Sequence, residues 1–309
     1  MNSAVGASSR NGVTIIEVMT VLFVIGIIVS LFLPGVVSAR SAARSIQCKN
    51  NLHNLGIATH NLQSSTGFFP RSAYLPDSSS YPFSYFVELL PYLEKADVFA
   101  RLNFHQLPNS PSNAIVTRTA GLSILHCPEQ STLSPEETSY WGNGGTGLNS
   151  NLEKRQDGFL VLEGASPGDF PAGLSNIVAM SECASLNAPT PKNRGAIFVK
   201  GDGPHSLGEW ESHLNRCRSI DPARIPIDAR RANVGSWWTF GGNLRTIYWH
   251  TLPPGENSCA WSGKGGTQVG TANSSHSDGV QVLFGDGSVK MQTRSIDLTI
   301  WHDQGCRFR

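Results

Sequence analysis

The chain has 309 residues, a net charge of +1 and only 15% charged residues, against about 25% in a typical soluble domain. No clustered basic face accompanies this near-neutral balance, which excludes a nucleic-acid partner. The six cysteines include no C-x-x-C pair, so the common zinc and thioredoxin spacings are absent and the redox compartment must decide between disulfides and buried thiols.

The first predicted element is a membrane-length helix. From Val13 to Leu33 only Thr14, Glu17, Thr20 and Ser30 are polar. Twenty-one helical residues reach about 31 Å, the thickness of a bilayer's hydrocarbon core. Such a segment can be a plain anchor, a secretory signal peptide cut near "VSA" (Val37–Ala39), or a prepilin signal cut between Gly12 and Val13. Glu17 separates the three. A carboxylate inside a spanning helix costs about 2.5–3.5 kcal/mol on insertion scales, and neither an anchor nor a signal peptide gains from it. Cleavage after Gly12 would free the Val13 amine as a cation one turn away. In an assembly, that amine could neutralise the Glu17 of a neighbouring copy, whereas an unpaired buried charge is strongly unfavourable.

The run "GVTIIE" resembles the processing motif of type IV prepilins and pseudopilins. The resemblance implies cleavage after Gly12 by a prepilin peptidase in the membrane, methylation of the new amino terminus at Val13, and a register role for Glu17. It also implies a helix-kinking role for Pro34, which removes one backbone hydrogen bond. Two departures stand out: the first mature residue is Val13 rather than Phe, and the leader has one basic residue, Arg10.

Beyond Pro34 the helical pattern continues. Cys48, Leu52, Leu55, Thr59 and Leu62 form one stripe suited to packing on a sheet. Gly67 predicts the C-terminal cap and Pro70 blocks continuation. This gives a leader over 1–12, a helix over 13–66 and an extracytoplasmic α+β domain over 67–309. The fold expected is pilin-like, with the helix packed on an antiparallel sheet that carries long loops. Tyr85–Phe104 reads as one short helix, or two separated by Pro91. Gly121–Gln130, "GFLVLEG", "NIVAMSE" and "GAIFVKG" read as strands, "SYWGNGGTGLNSN" as a loop, and 205–279 as irregular and aromatic-rich. In "VQVLFGDGSVKMQT", Val280, Val282 and Phe284 alternate, and Gly285–Ser288 supplies a hairpin turn.

Several blocks in order resemble one family across the chain, the large planctomycete prepilin-like proteins with a domain of unknown function. These include "LLPYLEKADVF", "LHCPE", "SYWGNGGTG", "LSNIVAMSE" and "SSHSDGVQVLFGDGSV". The last carries that family's signature of His, nine residues, then Asp-Gly, here His276, Asp286 and Gly287. The resemblance implies a pilin-like architecture at the membrane and no particular activity. The sequence departs from it after His276 and at Cys183.

"GNGGTG" lacks the Lys-Ser/Thr of a P-loop, and neither H-E-x-x-H nor G-x-S-x-G occurs. His276 reads as a hydrogen-bonded structural residue and Asp286 as the shaper of its turn. Calcium at Asp278 and Asp286 lacks the six to eight oxygens that ion wants, so no cofactor is expected. Cys48 with Cys127 is the first disulfide to expect, and Cys217 and Cys259 bracket the irregular region. Cys183 and Cys306 are further candidates, and the connectivity is open. Trp210, Trp237, Trp238, Trp249 and Trp261 supply either core or a binding surface.

Together these features point to a non-enzymatic, single-pass protein of the cytoplasmic membrane. Its partners would be copies of itself or other pilin-like subunits, in a surface or periplasmic filament. The alternative is a tethered binding module, for glycan or protein, that does not polymerise.

Overall fold

The computed structural model describes residues 14–76, 81–130, 133–147, 156–183, 196–199, 207–221, 237–242, 245–261 and 268–308. The architecture is α+β. A long helix, α1 (Ile15–Thr66), precedes a domain built on mixed sheets with mostly antiparallel strands. The chain forms two compact units, Met1–Arg44 and Ser45–Arg309, so the division falls inside α1. The second unit therefore starts well before Gly67, because the amphipathic last part of α1 is core.

In the first unit, the most apolar window of α1 has no residue buried within the chain. Its hydroxyls bond to their own helix. Thr20 Oγ1 donates to the Ile16 carbonyl at 2.7 Å and Ser30 Oγ to the Ile27 carbonyl at 2.8 Å. That is how short polar side chains are accommodated in an apolar medium. Pro34 lies inside α1, and the helix continues through it. Its missing N–H leaves the Ser30 carbonyl without its usual helical donor.

In the second unit, α1 presents Cys48, Leu52, Leu55, Gly56, Ala58, Thr59 and Leu62 as a buried stripe. It ends as its sequence predicts: Gly67 adopts φ +87° and donates to the Gln63 carbonyl at 2.8 Å. The stripe faces a five-stranded sheet of order β4-β1-β2-β7-β8. These strands are β1 (Tyr140–Asn143), β2 (Val178–Glu182), β4 (Ile247–Tyr248), β7 (Val280–Phe284) and β8 (Val289–Gln292). All pairs are antiparallel except β1 with β4. Every residue of β1, β2 and β7 is buried, as expected of central strands covered on both faces. Leu283 meets the α1 side close to Gly56. Val280, Val282 and Phe284 pack on the opposite face with Trp141, Tyr248 and Trp301. Trp301 belongs to the last helix, Leu298–Gly305, and is fully buried.

A second sheet holds β3 (Ala196–Val199), β5 (Ser258–Trp261) and β6 (Gln268–Val269), with β3 parallel to β5. The pairing is mainly antiparallel, as expected, and each sheet holds one parallel pair. The region 205–279 is also less irregular than its composition suggests. It contains the helix Leu207–Ser219, in which Trp210, Leu214 and Cys217 recur at helical spacing and join one apolar cluster.

Other expectations divide. The segment around Pro91 forms two helices, Tyr85–Leu89 and Ala96–Arg101, separated by a 3-10 turn containing the proline. The helix Pro111–Thr119 was not anticipated, although Ser110 caps it and Pro111 opens it, a standard helix start. Gly121–Gln130 holds a 3-10 turn at Ser123–Leu125 instead of a strand. The first four residues of "GFLVLEG" are buried and Leu162 and Glu163 are exposed, and the backbone bonds are scattered: Leu160 N–H to Asn143, Ser72 N–H to Val161. Its apolar run signals burial, not a ladder.

His250 is the buried titratable group with the plainest consequence. It lies against the Trp301 ring at 3.8 Å between centroids. Nδ1 is 2.8 Å from the Trp301 carbonyl, so Nδ1–H donates there and Nε2 accepts from the Tyr248 hydroxyl at 2.8 Å. Burial, with the charge of His302 adding to it, lowers its pKa from 6.5 to about 3. A depressed folded pKa gives stability that is present above the unfolded value and lost as pH falls towards the folded one. Urea unfolding followed by tryptophan fluorescence should therefore show stability falling from about pH 6.5 down towards pH 3. The slope expected from this group approaches 1.4 kcal/mol per unit, and His250→Gln should flatten it. In the same assay, Leu55→Ala should cost about 2–5 kcal/mol at neutral pH, the usual price of a buried leucine cavity.

Candidate functional site

Two places concentrate polar chemistry where burial or apolar surroundings make it expensive. The first is the start of α1. Gly12 and Val13 lie outside the described residues. Immediately after them, Thr14 and Glu17 form a capping box. Glu17 Oε2 accepts from the Thr14 N–H and from Thr14 Oγ1, both at 2.8 Å, and the Glu17 N–H donates to Thr14 Oγ1 at 3.4 Å. The T-x-x-E pattern is the sequence signature of this arrangement, and it was legible in "TIIE". The carboxylate thus closes the amino end of the helix, next to the expected cleavage junction.

The second place is a buried group inside the globular unit. Cys48 of α1 and Cys127 form a disulfide. Beside it stand Glu182, at the end of β2, and His276, in the loop before β7; all four are at most 5% exposed. His276 Nε2 lies 3.2 Å from Glu182 Oε1 and 3.6 Å from Cys127 Sγ. Glu182 Oε2 accepts from the Gln281 N–H at 2.9 Å, whereas Oε1 accepts no hydrogen bond of good geometry. Burial lowers the pKa of His276, but the Glu182 carboxylate, with Glu129 and Asp278 beyond it, outweighs burial and raises it. Tyr140 Oη, which receives Asn51 Nδ2 at 3.3 Å, roofs the group; burial first, and then the Glu182 charge, raise its pKa.

The remaining predicted residues separate from this group. Asp286 is exposed and shapes the β7–β8 turn: its Oδ1 accepts from the Ser288 N–H at 2.9 Å, and Gly287 takes φ +86°. Asp278 precedes β7 and accepts from Ser277 Oγ. The five residues of β7 stand between the two aspartates, a span of about 17 Å at 3.4 Å per residue. They cannot share a calcium ion. His276 and Asp286 fall at opposite ends of the same strand, so the hairpin links them without contact.

Cys217 pairs with Cys259, joining the helix Leu207–Ser219 to β5. Cys183 and Cys306 form no disulfide. The Cys183 thiol is fully enclosed near the Thr271 carbonyl, and burial raises its pKa. Trp210, Trp238, Trp249 and Trp261 are buried; they are core and present no stacking face. The glycine-rich stretch begins in the last two residues of β1 and is no phosphate cradle. Asp157 fills it, taking the Thr146 N–H and hydroxyl at 3.1 and 2.6 Å. Gly145, at φ +112°, is required there because a Cβ would meet that carboxylate.

The family model described as "Protein of unknown function (DUF1559)" matches residues 37–299. The chain belongs to this family. The DUF1559 match begins beyond Pro34, so it covers the buried Cys–Glu–His group and the β7–β8 hairpin but not the start of α1. No curated protein and no solved structure matches the chain.

The pairing is directly testable. Peptide mapping of the unreduced, denatured protein should recover Cys48–Cys127 and Cys217–Cys259 peptides. Exactly two thiols per chain, at Cys183 and Cys306, should react with an alkylating agent.

Proposed function

We propose that the protein is a pilin-like structural subunit, without catalytic activity. In this reading a prepilin peptidase cuts after Gly12 and Val13 becomes the methylated amino terminus. The apolar part of α1 holds the subunit in the cytoplasmic membrane and then packs with copies of itself or other pilin-like subunits. Glu17 supplies the register.

The observation that carries the reading is Glu17, one carboxylate at the head of α1, whose most apolar window buries nothing within its own chain. Such a surface calls for lipid or neighbouring helices. The capping box adds a reason for the position of the acid. It holds one carboxylate oxygen on Thr14, and a carboxylate retains further lone pairs for a second donor. The ammonium of a neighbouring Val13 is such a donor, and the pair would remove two isolated charges from an apolar setting. Gly26 has no neighbour within 4 Å of where a Cβ would stand, and small residues of this kind permit close approach of helices in a bilayer. Disulfides in the globular unit fit a location outside the cytoplasm, where such bonds persist.

The mature amino terminus decides the matter. Mass spectrometry of protein purified from native membranes should find a chain starting at N-methylated Val13. A start at Arg40 or an intact Met1 would overturn the proposal. Glu17→Ala should be processed and inserted but lost from sheared or cross-linked assemblies.

A further inference from the structure

We propose that Cys48, Cys127, Glu182 and His276 form a transition-metal site when the two cysteines are thiols, with zinc as the ion that suits them best. Each residue offers one donor atom, and all four donors lie within 4.8 Å of one another. Two of the five edges that the S–S bond does not fix, those from His276 Nε2 to Glu182 Oε1 and to Cys127 Sγ, already match the edges of a zinc tetrahedron. With Zn–N, Zn–O and Zn–S lengths of about 2.05, 2.1 and 2.3 Å, the N–O edge is about 3.4 Å and the N–S edge about 3.6 Å. The observed values are 3.2 Å from His276 Nε2 to Glu182 Oε1 and 3.6 Å to Cys127 Sγ. The two sulfurs must open to about 3.8 Å, and the remaining edges start from within 4.8 Å.

The surroundings also favour a cation. A neutral disulfide needs neither a buried carboxylate nor an imidazole beside it, and burying that pair is costly. Glu182 is held from behind by the Gln281 N–H, leaving Oε1 facing the group, with the His276 imidazole as its neighbour at 3.2 Å. Support of one carboxylate oxygen by an outer partner is how first-shell ligands are oriented. Two thiolates, an imidazole and a carboxylate complete four-coordination with no open position, the pattern of a structural zinc site. Ser277 and Asp278, next to His276, are exposed, so only a short loop separates the site from solvent.

The disulfide and the metal site are alternative states of one sulfur pair. A dithiol reductant opens Cys48–Cys127 by supplying two electrons and two protons, and is itself oxidised to a disulfide. Metal binding then releases the two thiol protons to solvent. A newly made chain starts in the thiol state, so it reaches this branch point before any oxidation.

The test uses the full chain in detergent, reduced anaerobically with a phosphine and titrated with cobalt(II). The expected result is one equivalent bound, with a thiolate-to-cobalt charge-transfer band and visible bands of tetrahedral cobalt, all abolished by zinc. His276→Gln and Glu182→Gln should each weaken binding by at least about tenfold. Cys217→Ser/Cys259→Ser should leave the spectrum unchanged. If reduction alone unfolds the chain, zinc should restore the native far-UV spectrum. The proposal is overturned by a folded dithiol protein that takes up no cobalt, by an unfolded one that zinc does not restore, or by uptake indifferent to His276 and Glu182.

Discussion

The seat of α1 on the five-stranded sheet is the constraint on which the globular unit depends. Leu52, Leu55 and Leu62 are buried there, at about 1.5–3 kcal/mol each. Their sum is comparable to the whole net stability of an ordinary domain. Register along the helix axis is held by directional contacts. Gly56 allows Leu283 of β7 to approach, Asn51 Nδ2 donates to the His126 carbonyl at 3.0 Å, and Cys48 is bonded to Cys127. A shift by one residue would turn this stripe away from β7 and break the polar contacts together. The helix thereby delivers Cys48 to the place where β2 ends and the His276 loop begins.

Features encoded by local chemistry were legible in the sequence. Gly67 ends α1 because only a residue at ease with positive φ closes that turn. The β7–β8 hairpin follows from alternation around Gly285–Ser288, and β2 from a short apolar run between turn residues. Features set by tertiary context were not. β1 lies in a glycine-rich stretch with no alternation, and it is a strand because β2 and β4 flank it. Conversely, Phe159, Leu160 and Val161 have strand composition but make only isolated backbone bonds, Leu160 to Asn143 and Val161 to Ser72, so they are core without a ladder. The helix Leu207–Ser219 was obscured by its polar exposed face, although Trp210, Leu214 and Cys217 carry a helical period.

The buried polar group shows the same limit more sharply. Cys48 and Cys127 were expected as a disulfide, which forms, and His276 stood out by itself, while Glu182 read as the last residue of a strand. Nothing in the spacing brings Glu182 and His276 to that pair: the four come from a helix, a loop, a strand end and a second loop. Their meeting is a product of the sheet order, which sets β2 beside β7 and leaves the chain before β7 next to the end of β2. His276 and Asp286 form the more visible pair in sequence, yet they do different work at the two ends of one strand.

Glu17 and Glu182 pose one physical problem in two media. Glu182 is a carboxylate that water would solvate better than its buried neighbours do, and Glu17 would be another once its helix is packed in the assembly reading. Each has one oxygen held by its own chain, through Thr14 in the first case and Gln281 in the second. Holding a carboxylate in this way fixes its direction without neutralising its charge, so each leaves a demand for a cation. At Glu182 the imidazole of His276 stands close enough to meet part of that demand. At Glu17 the counter-charge in the assembly reading is the ammonium that processing would create on a neighbouring subunit. If so, cleavage does more than remove a leader: it generates the only group that makes the acid favourable inside a packed helix bundle, and assembly before cleavage is disfavoured by the charge left alone.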